Sequence, residues 1–211
     1  LHLSLRRQRQ MCIRDSCAYA RAGVGAVASQ NVTDPLLGPL ALDFMEDGMS
    51  AVEAIEHVCQ QGKFIEYRQV LVVDKAGKTA IYSGPNSLGI WTQAQGLDVV
   101  SGGNMLANDR VPQAMVDSFL ASSGHLGDRL ISAMRAGLAA GGEAGPLHSA
   151  GILLVDSVAW PVAELRCDWT DNCPIENIAT AWEVYKPQLA AYVQRAIDPR
   201  DAPSYGVPGD Q

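Results

Sequence analysis

Cysteine is scarce and irregularly spaced in this chain. It occurs five times, at Cys12, Cys17, Cys59, Cys167 and Cys173. These positions do not form the paired spacings that are typical of zinc sites or of redox-active dithiols. A bridge between Cys167 and Cys173 would cross a strand end, but reduced thiols and a cytoplasmic setting are the default expectation. The sequence therefore predicts no metal site and no disulfide framework.

Long apolar runs and phosphate-binding loops are also missing. No stretch approaches the roughly 20 apolar residues that a membrane-spanning helix needs. Neither a Walker sequence nor a dinucleotide fingerprint is present. The net charge is −7 at pH 7, which disfavours binding to a phosphate backbone. We therefore expect no cofactor, no nucleic-acid partner and no membrane partner.

The first sixteen residues differ from the rest, because they hold four arginines and only one acid. Residues 6–16, RRQRQMCIRDS, back-translate in a single reading frame to the end of a common transposon-based sequencing adapter. The alternative is a basic N-terminal arm that contacts nucleic acid or membrane. Eleven consecutive residues in one frame favour the adapter. We therefore predict that residues 1–16 are not native, and that the native sequence enters at Cys17, already inside a domain.

Helix and strand signals occur in blocks. The periodicities predict a strand, two helices, four strands, two helices, two strands and a last helix. Their approximate bounds are 23–30, 38–48, 50–62, 70–73, 79–82, 90–95, 97–101, 108–124, 126–138, 148–155, 162–167 and 174–197. Blocks favour antiparallel sheets covered by helices, an α+β fold, over a parallel doubly wound sheet. We predict one domain over residues 17–197 and a proline- and glycine-rich tail over residues 198–211.

Several local signals fix expected ends and buried positions. Ser50 with Glu53 is a capping box that starts the second helix. Pro187 should break the last helix, and Asp171 or Asn172 should cap its start. The four tryptophans, Trp91, Trp160, Trp169 and Trp182, are expected to pack in the core.

The stretch Ser101-Gly-Gly-Asn104 is predicted to lie between a strand and a helix. Two glycines let the backbone approach a ligand closely, and free N–H groups together with Asn104 could hold an oxyanion. The alternative is an ordinary tight connection in which Asn104 bonds to its own backbone. Spacing alone favours the ordinary connection.

Two further stretches carry polar side chains beside predicted strands. His148 and Ser149 are adjacent on a strand, so their side chains should point to opposite faces and not form a nucleophile–base pair. Ser149 alone could line a site. Arg166 and Asp168 should share one strand face, where they could form an ion pair or contact a substrate.

Read in order, these stretches resemble a bacterial domain-of-unknown-function family that is assigned to the Ntn-hydrolase superfamily. The motifs that carry the resemblance are collinear along the whole chain after Cys17. They are residues 21–30 (RAGVGAVASQ), Gly38-Pro39, Gly103-Asn104-Met105-Leu106, Ser149-Ala150, Leu165-Arg-Cys-Asp168 and the tail 202–210 (APSYGVPGD).

The resemblance implies a four-layer αββα sandwich and hydrolysis of an amide bond in a small molecule or a peptide. In such enzymes an N-terminal Thr, Ser or Cys attacks the carbonyl, with its own amine as base. Gly103 and Asn104 would supply oxyanion donors. Ser29, Gln30, Ser149, Arg166 and Asp168 would line the cleft.

The chain also departs from the family pattern. Relatives begin with two strands that are missing here, and with them any N-terminal nucleophile, so we predict that this chain is inactive. Many relatives carry an acid–acid–histidine run where this chain has Trp169, Thr170 and Asp171. Two alternatives to an amidohydrolase therefore stay open: a non-catalytic ligand-binding protein, and an assembly protein that forms a homo-oligomer.

Overall fold

The computed structural model describes residues 17–204. The predicted adapter segment, residues 1–16, and the end of the predicted tail, residues 205–211, lie outside the described residues. The described part contains eight strands and six α-helices. The strands are β1 (Ala18–Arg21), β2 (Gly25–Gln30), β3 (Gln69–Asp74), β4 (Thr79–Ser83), β5 (Ile90–Gly96), β6 (Val99–Leu106), β7 (Ala150–Leu154) and β8 (Ala163–Cys167). The helices are α1 (Leu37–Glu46), α2 (Ala51–Gln61), α3 (Val111–Ala121), α4 (Leu126–Ala139), α5 (Pro174–Tyr185) and α6 (Leu189–Ile197).

The predicted α+β class with antiparallel sheets is confirmed. Strands β1 to β4 form one antiparallel sheet in chain order, and β5–β6 and β7–β8 form two antiparallel pairs. The predicted order of helix and strand blocks also holds, with one addition. Strand β1 precedes the first predicted strand, because Gly23 takes a φ of +71° and turns the chain back between β1 and β2. The expectation that both strands before the Ala-Gly-Val-Gly run are missing is therefore wrong for this strand.

One face of the four-stranded sheet is covered by α1 and α2. Val27 pairs with Val72, and the side chains of paired residues lie on the same face. These valines pack with Leu37 of α1 and Val58 of α2 in the first hydrophobic core. The capping box that starts α2 is present, since the Ser50 Oγ accepts from the backbone N–H of the third helical residue.

The opposite face of this sheet, here called the inner face, meets the β5–β6 pair. Gly102 of β6 lies directly over Leu71 and Gln69 of β3, where a Cβ atom would clash with Leu71. The other side of β6 carries the half-buried contact between the Ser101 Oγ and the Met115 Sδ of α3, 3.5 Å apart. The β5–β6 pair therefore lies between β3 and α3.

The β7–β8 pair is covered by α5 and α4. Ile152 and Leu154 of β7 pack with Ile178 and Trp182 of α5 and with Ile131 of α4 in a second hydrophobic core. Trp182 is fully buried, and its Nε1 donates to the Asp128 Oδ1 of α4 at 2.8 Å. This hydrogen bond ties α5 to α4.

The break expected at Pro187 is confirmed, because a 3₁₀ turn at Lys186–Gln188 separates α5 from α6. The cap expected from Asp171 or Asn172 is wrong. Cys173 occupies the N-cap position, and no side chain caps this helix. Pro174 at the first helical position removes one N–H that would otherwise need a partner.

The expectation that all four tryptophans pack in the core is also wrong. Trp182 is buried, whereas Trp91, Trp160 and Trp169 are exposed. Trp91 and Trp160 lie on a strand and in a loop at the surface, and Trp169 follows the last strand. Within residues 17–204, no helix combines the length and the apolar character that crossing a membrane requires.

Candidate functional site

A cleft of about 540 Å³ opens between the first two strands and the β7–β8 pair. Four of the predicted substrate-contacting residues line it together. They come from separate parts of the chain: Gln30 ends β2, Ser149 precedes β7, and Arg166 and Asp168 belong to β8 and the residue beyond it. The full lining is Cys17, Ala18, Tyr19, Gln30, Ser149, Ala150, Gly151, Ile152, Leu153, Pro161, Glu164, Arg166, Cys167 and Asp168.

One wall of the cleft is small and the other is charged. Ala18 of β1, which lines the cleft, pairs with Ala28 of β2, so the wall has a small side chain at this position. On the other wall, Gly151 pairs with Arg166 and Leu153 pairs with Glu164. Glycine opposite arginine leaves room along the arginine side chain.

Arg166 and Asp168 form the ion pair that their spacing allowed. The Asp168 Oδ1 accepts from the Arg166 Nη2 at 2.8 Å and from Nε at 3.2 Å. Both side chains are partly exposed, so the pair adds little to stability. It does hold a guanidinium group in a fixed place on the cleft wall, and this group is suited to a carboxylate or a carbonyl oxygen.

Gln30 is held by a network that runs between the sheets. Its Nε2 donates to the Gln69 Oε1 at 2.6 Å and to the Gly102 carbonyl at 2.9 Å. The buried Gln69 in turn donates to the Ser83 Oγ at 2.8 Å. Since both N–H groups of Gln30 are committed to these bonds, its side-chain oxygen is the atom that can accept from a ligand in the cleft.

Ser29 does not reach the cleft. Its side chain is fully buried, and its Oγ donates to the Asp34 carbonyl at 3.0 Å. Neighbouring strand residues point to opposite faces, so Ser29 faces α1 and α2 while Gln30 faces inward. Ser29 therefore lies outside the cleft that the other predicted residues line, and it anchors the loop that follows β2.

The sequence predicted that Gly103 and Asn104 lie in a connection between a strand and a helix. In the structure both residues lie inside β6. Gly103 pairs with Thr92 and Leu106 pairs with Ile90, so Trp91 alone lies opposite both Asn104 and Met105. Two residues opposite one form a β-bulge, in which Met105 has a φ of +54°. Because of this bulge the strand continues at the point where the glycines predicted a turn. Asn104 does not line the cleft, although the neighbouring Gly102 carbonyl accepts from Gln30.

A second stretch of strained backbone follows Gln30. Asn31 and Val32 both have left-handed φ angles, +58° and +51°. The buried Asn31 side chain donates to the Tyr67 carbonyl at 2.5 Å and accepts from the Leu88 N–H at 3.0 Å. The Leu88 carbonyl then accepts from the Met105 N–H at 2.8 Å.

Sequence reasoning missed this connection between the end of β2 and the bulge in β6. The sequence does contain one local indication of the left-handed backbone, namely Asn31, because asparagine tolerates the left-handed region better than most residues. The hydrogen bonds of Asn31 to distant loops have no local signal.

His148 is engaged away from Ser149, as expected for adjacent residues. Its ring stacks on Trp169 with centroids 4.2 Å apart, and its Nδ1 lies 2.8 Å from the Thr170 carbonyl and 3.8 Å from the Asp171 carboxylate. Ser149 lines the cleft. The geometry thus offers Ser149 as a hydroxyl in the cleft and gives His148 a structural role.

Tyr19 lines the cleft and has a shifted pKa. Burial, together with nearby Cys17 and Asp34, raises the pKa of the Tyr19 phenol. The phenol therefore stays protonated at neutral pH. Among residues 17–204, no three His, Cys, Asp or Glu side chains are grouped as metal ligands, and Cys17, Cys59, Cys167 and Cys173 form no disulfide with one another.

Comparisons with known proteins identify a family and a similar solved structure. A model of the family described as "Family of unknown function (DUF1028)" matches residues 7–178. The crystal structure of a protein from Silicibacter pomeroyi, assigned to the same family model, is similar over 87% of this chain and 80% of that chain, with a TM-score of 0.79 and 26% sequence identity. No curated protein matches the chain.

Proposed function

This chain belongs to the DUF1028 family of unknown function, and we propose that its cleft is the substrate site of an amidohydrolase of the Ntn-hydrolase superfamily. The observation that carries the proposal is the gathering of Gln30, Ser149, Arg166 and Asp168 in one cleft. The family resemblance implies substrate binding for these residues, which come from three separate regions of the chain.

The layering of the fold supports the same proposal. Helices α1 and α2 pack on the outer face of the four-stranded sheet. The β5–β6 pair lies against the inner face of that sheet, and α3 lies beyond it. We propose that this is the four-layer αββα sandwich of the superfamily, in which the cleft lies between the two middle layers.

Each group in the cleft has a proposed task in binding an amide substrate. The Arg166 guanidinium pairs with a carboxylate of the substrate, while Asp168 keeps the guanidinium oriented. The Gln30 side-chain oxygen accepts from an amide N–H, and the Ser149 hydroxyl bonds to a substrate carbonyl.

Gly103 and Asn104 are the proposed oxyanion donors. The bulge supports this role, because bulges occur beside active sites and redirect side chains there. Asn104 must then turn toward the cleft when a substrate binds.

The test is a screen for amide hydrolysis with the Silicibacter pomeroyi relative and with this chain side by side. N-acyl amino acids and dipeptides are incubated with each protein, and products are detected by mass spectrometry. We expect the relative to release product and to lose activity when its first mature residue is replaced by alanine. Equal turnover after that replacement would reject the N-terminal nucleophile mechanism.

A non-catalytic ligand-binding role is the second candidate, and the position of His148 favours it. The His148 Nδ1 faces the Thr170 carbonyl, so Ser149 has no base in that imidazole. The screen separates the two candidates. Thermal stabilisation of both proteins by a compound, with no product from either, would establish binding without catalysis.

A further inference from the structure

The edge of β7 that faces away from β8 is an open strand edge. Among residues 17–204, β8 is the only strand that pairs with β7. Each strand edge presents a row of N–H and C=O groups at alternate residues, and an unpaired edge is a template for another strand. The backbone groups of β7 that point away from β8 therefore have no strand partner in the described part of the chain.

This open edge borders the cleft along most of its length. Ser149, Ala150, Gly151, Ile152 and Leu153 all line the cleft. Successive side chains of a strand point to opposite faces, so a continuous run of lining residues means that the backbone itself borders the space. The four lining residues of β7 span about 13 Å, which suits an extended segment better than a compact molecule.

The charged wall of the cleft determines which ligand charge is favoured. Glu164 lies opposite Leu153 in the pair, and Arg166 lies opposite Gly151. The Arg166 guanidinium is already paired with Asp168, so the Glu164 carboxylate gives the cleft a net negative charge at the Leu153 end. A ligand with a positive charge at that end is complementary to this wall.

We infer that the cleft binds an extended peptide as an added strand along the open edge of β7, with a cationic side chain of the peptide beside Glu164. The inference rests on the proposed amidohydrolase function, of which it names the substrate class. Backbone hydrogen bonds to β7 supply affinity, and Glu164 supplies selectivity for lysine or arginine.

The experiment uses the full chain and four blocked pentapeptides of alanine and valine, measured by isothermal titration calorimetry. The first peptide has a central lysine, and the second has glutamate in its place. The third and fourth are lysine peptides whose alternate amides are N-methylated, one on each edge of the peptide strand. We expect the lysine peptide to bind most tightly. N-methylation on the edge that meets β7 should weaken binding by about tenfold or more, because it removes strand hydrogen bonds. Equal affinity of the N-methylated and unmodified peptides would overturn strand addition.

Two variants test the charge. Glu164→Gln should reduce the preference for lysine over glutamate by several-fold, since it removes the carboxylate without changing its shape. Glu183→Gln, which changes an exposed glutamate of α5 away from the cleft, should leave that preference unchanged. The same loss in both variants would overturn the role of Glu164.

Hydrogen–deuterium exchange locates the bound peptide. We expect slower exchange at the amides of residues 150–153 in the presence of the lysine peptide, and protection confined to other strands would overturn the inference. The outcomes are separable from those of the proposed function. Peptides that fail to bind while small N-acyl amino acids are hydrolysed by the relative would reject the inference and keep the amidohydrolase.

Discussion

At the scale of single residues, Val32 stands in a backbone conformation that branched side chains rarely adopt. Its φ is +51° and its side chain is 42% exposed. Such strain costs on the order of 1–3 kcal/mol, while glycine at this position would lose about 0.5–1 kcal/mol through backbone entropy. We therefore predict that Val32→Gly raises the free energy of unfolding slightly or leaves it unchanged, as measured by urea denaturation.

The control for Val32 is the same change at Val24, a buried valine of the first core. Val24→Gly removes buried apolar surface and relieves no left-handed strain, so it should destabilise by about 2 kcal/mol or more. A comparable loss at Val32 would show that its conformation is not strained.

Gly127 lies against the ring of Trp182. A Cβ atom at Gly127 would come within 2.4 Å of that ring, and the ring cannot move because Trp182 is fully buried. Alanine is normally favoured over glycine in a helix by about 1 kcal/mol. We predict the opposite sign here, a loss of about 1–2 kcal/mol for Gly127→Ala, because overpacking outweighs helix propensity.

Gly137 in the same helix is the matched control for Gly127. A Cβ there would meet the flexible side chain of Met115 at 2.8 Å, and a methionine can move aside. Thermal melts of both variants should therefore show a clearly smaller loss at Gly137→Ala.

The residues of the cleft show how far sequence reasoning extends at this scale. Gln30, Ser149, Arg166 and Asp168 were predicted from collinear motifs, and their meeting in one cleft could not be read from spacing. The position of Ser29 outside the cleft was missed because a motif names positions and does not say which face of a strand each side chain occupies. The bond from Gln30 to Gln69 joins residues 39 apart, so no local pattern carries it.

At the scale of elements, Asp128 ties α4 to α5. Its Oδ2 accepts from the Lys186 Nζ at 2.6 Å, and its Oδ1 accepts from the Trp182 Nε1 at 2.8 Å. These bonds, that from Lys186 first, lower the pKa of the Asp128 carboxyl below its ordinary value of 3.8. A carboxyl group whose pKa is lowered by folding stabilises the folded state at pH values above its ordinary pKa. This stabilisation is lost as the pH falls through the lowered pKa of the folded state.

We therefore predict that the stability difference between the wild type and Asp128→Asn is largest near neutral pH. It should shrink as the pH falls below about 4, because the wild-type carboxyl then becomes protonated. Urea unfolding of both proteins across this pH range measures the difference. A difference that is constant with pH would contradict the ionic part of this contact.

Asp128→Ala should be less stable than Asp128→Asn at every pH, by about 1–3 kcal/mol, because alanine leaves the buried Trp182 Nε1 without an acceptor.

The capping box at the start of α2 gives a simpler prediction. The Ser50 Oγ accepts from the Glu53 N–H at 3.4 Å, and the Glu53 carboxylate accepts from the Ser50 N–H at 2.8 Å. Ser50→Ala removes the first bond and should lower the free energy of unfolding by about 1 kcal/mol. Ser118→Ala is the control, because it removes a hydroxyl from the middle of α3 and not from a helix cap. A similar loss of stability in this variant would argue against the capping role of Ser50.

Elements were the most predictable level of this structure. Apolar periodicity and helix caps are local signals, so the helices and the break at Pro187 were found close to their positions. The bulged end of β6 was missed because glycine pairs usually mark turns, and pairing with β5 outweighed that preference. β1 was missed because four residues carry too little pattern to separate them from the strand that follows.

At the scale of the whole molecule, two separate hydrophobic cores hold the fold. The first lies between the four-stranded sheet and helices α1 and α2, and the second lies between the β7–β8 pair and helices α4 and α5. The buried Trp182 belongs to the second core, while the other tryptophans are exposed. Tryptophan fluorescence therefore reports mainly on the second core, and far-ultraviolet circular dichroism reports on all helices.

We predict that Ile178→Ala, in the second core, costs about 2–5 kcal/mol and shifts the fluorescence transition more than the dichroism transition in urea. Val58→Ala, in the first core, should shift the dichroism transition more. Coincident transitions in both variants would show that the two cores unfold as one unit. Which strands pair with which could not be predicted from the sequence, because strand pairing joins distant segments and leaves no local mark.

The small residue Ala18 on the cleft wall has an evolutionary consequence. An alanine codon lies one base change from a valine codon, so the width of the cleft beside Ala18 is within reach of a single point mutation. Such a mutation would narrow the space without disturbing Glu164, Arg166 or Asp168 on the facing side. Related proteins can therefore evolve to accept a narrower range of ligand sizes while they keep the same charge preference.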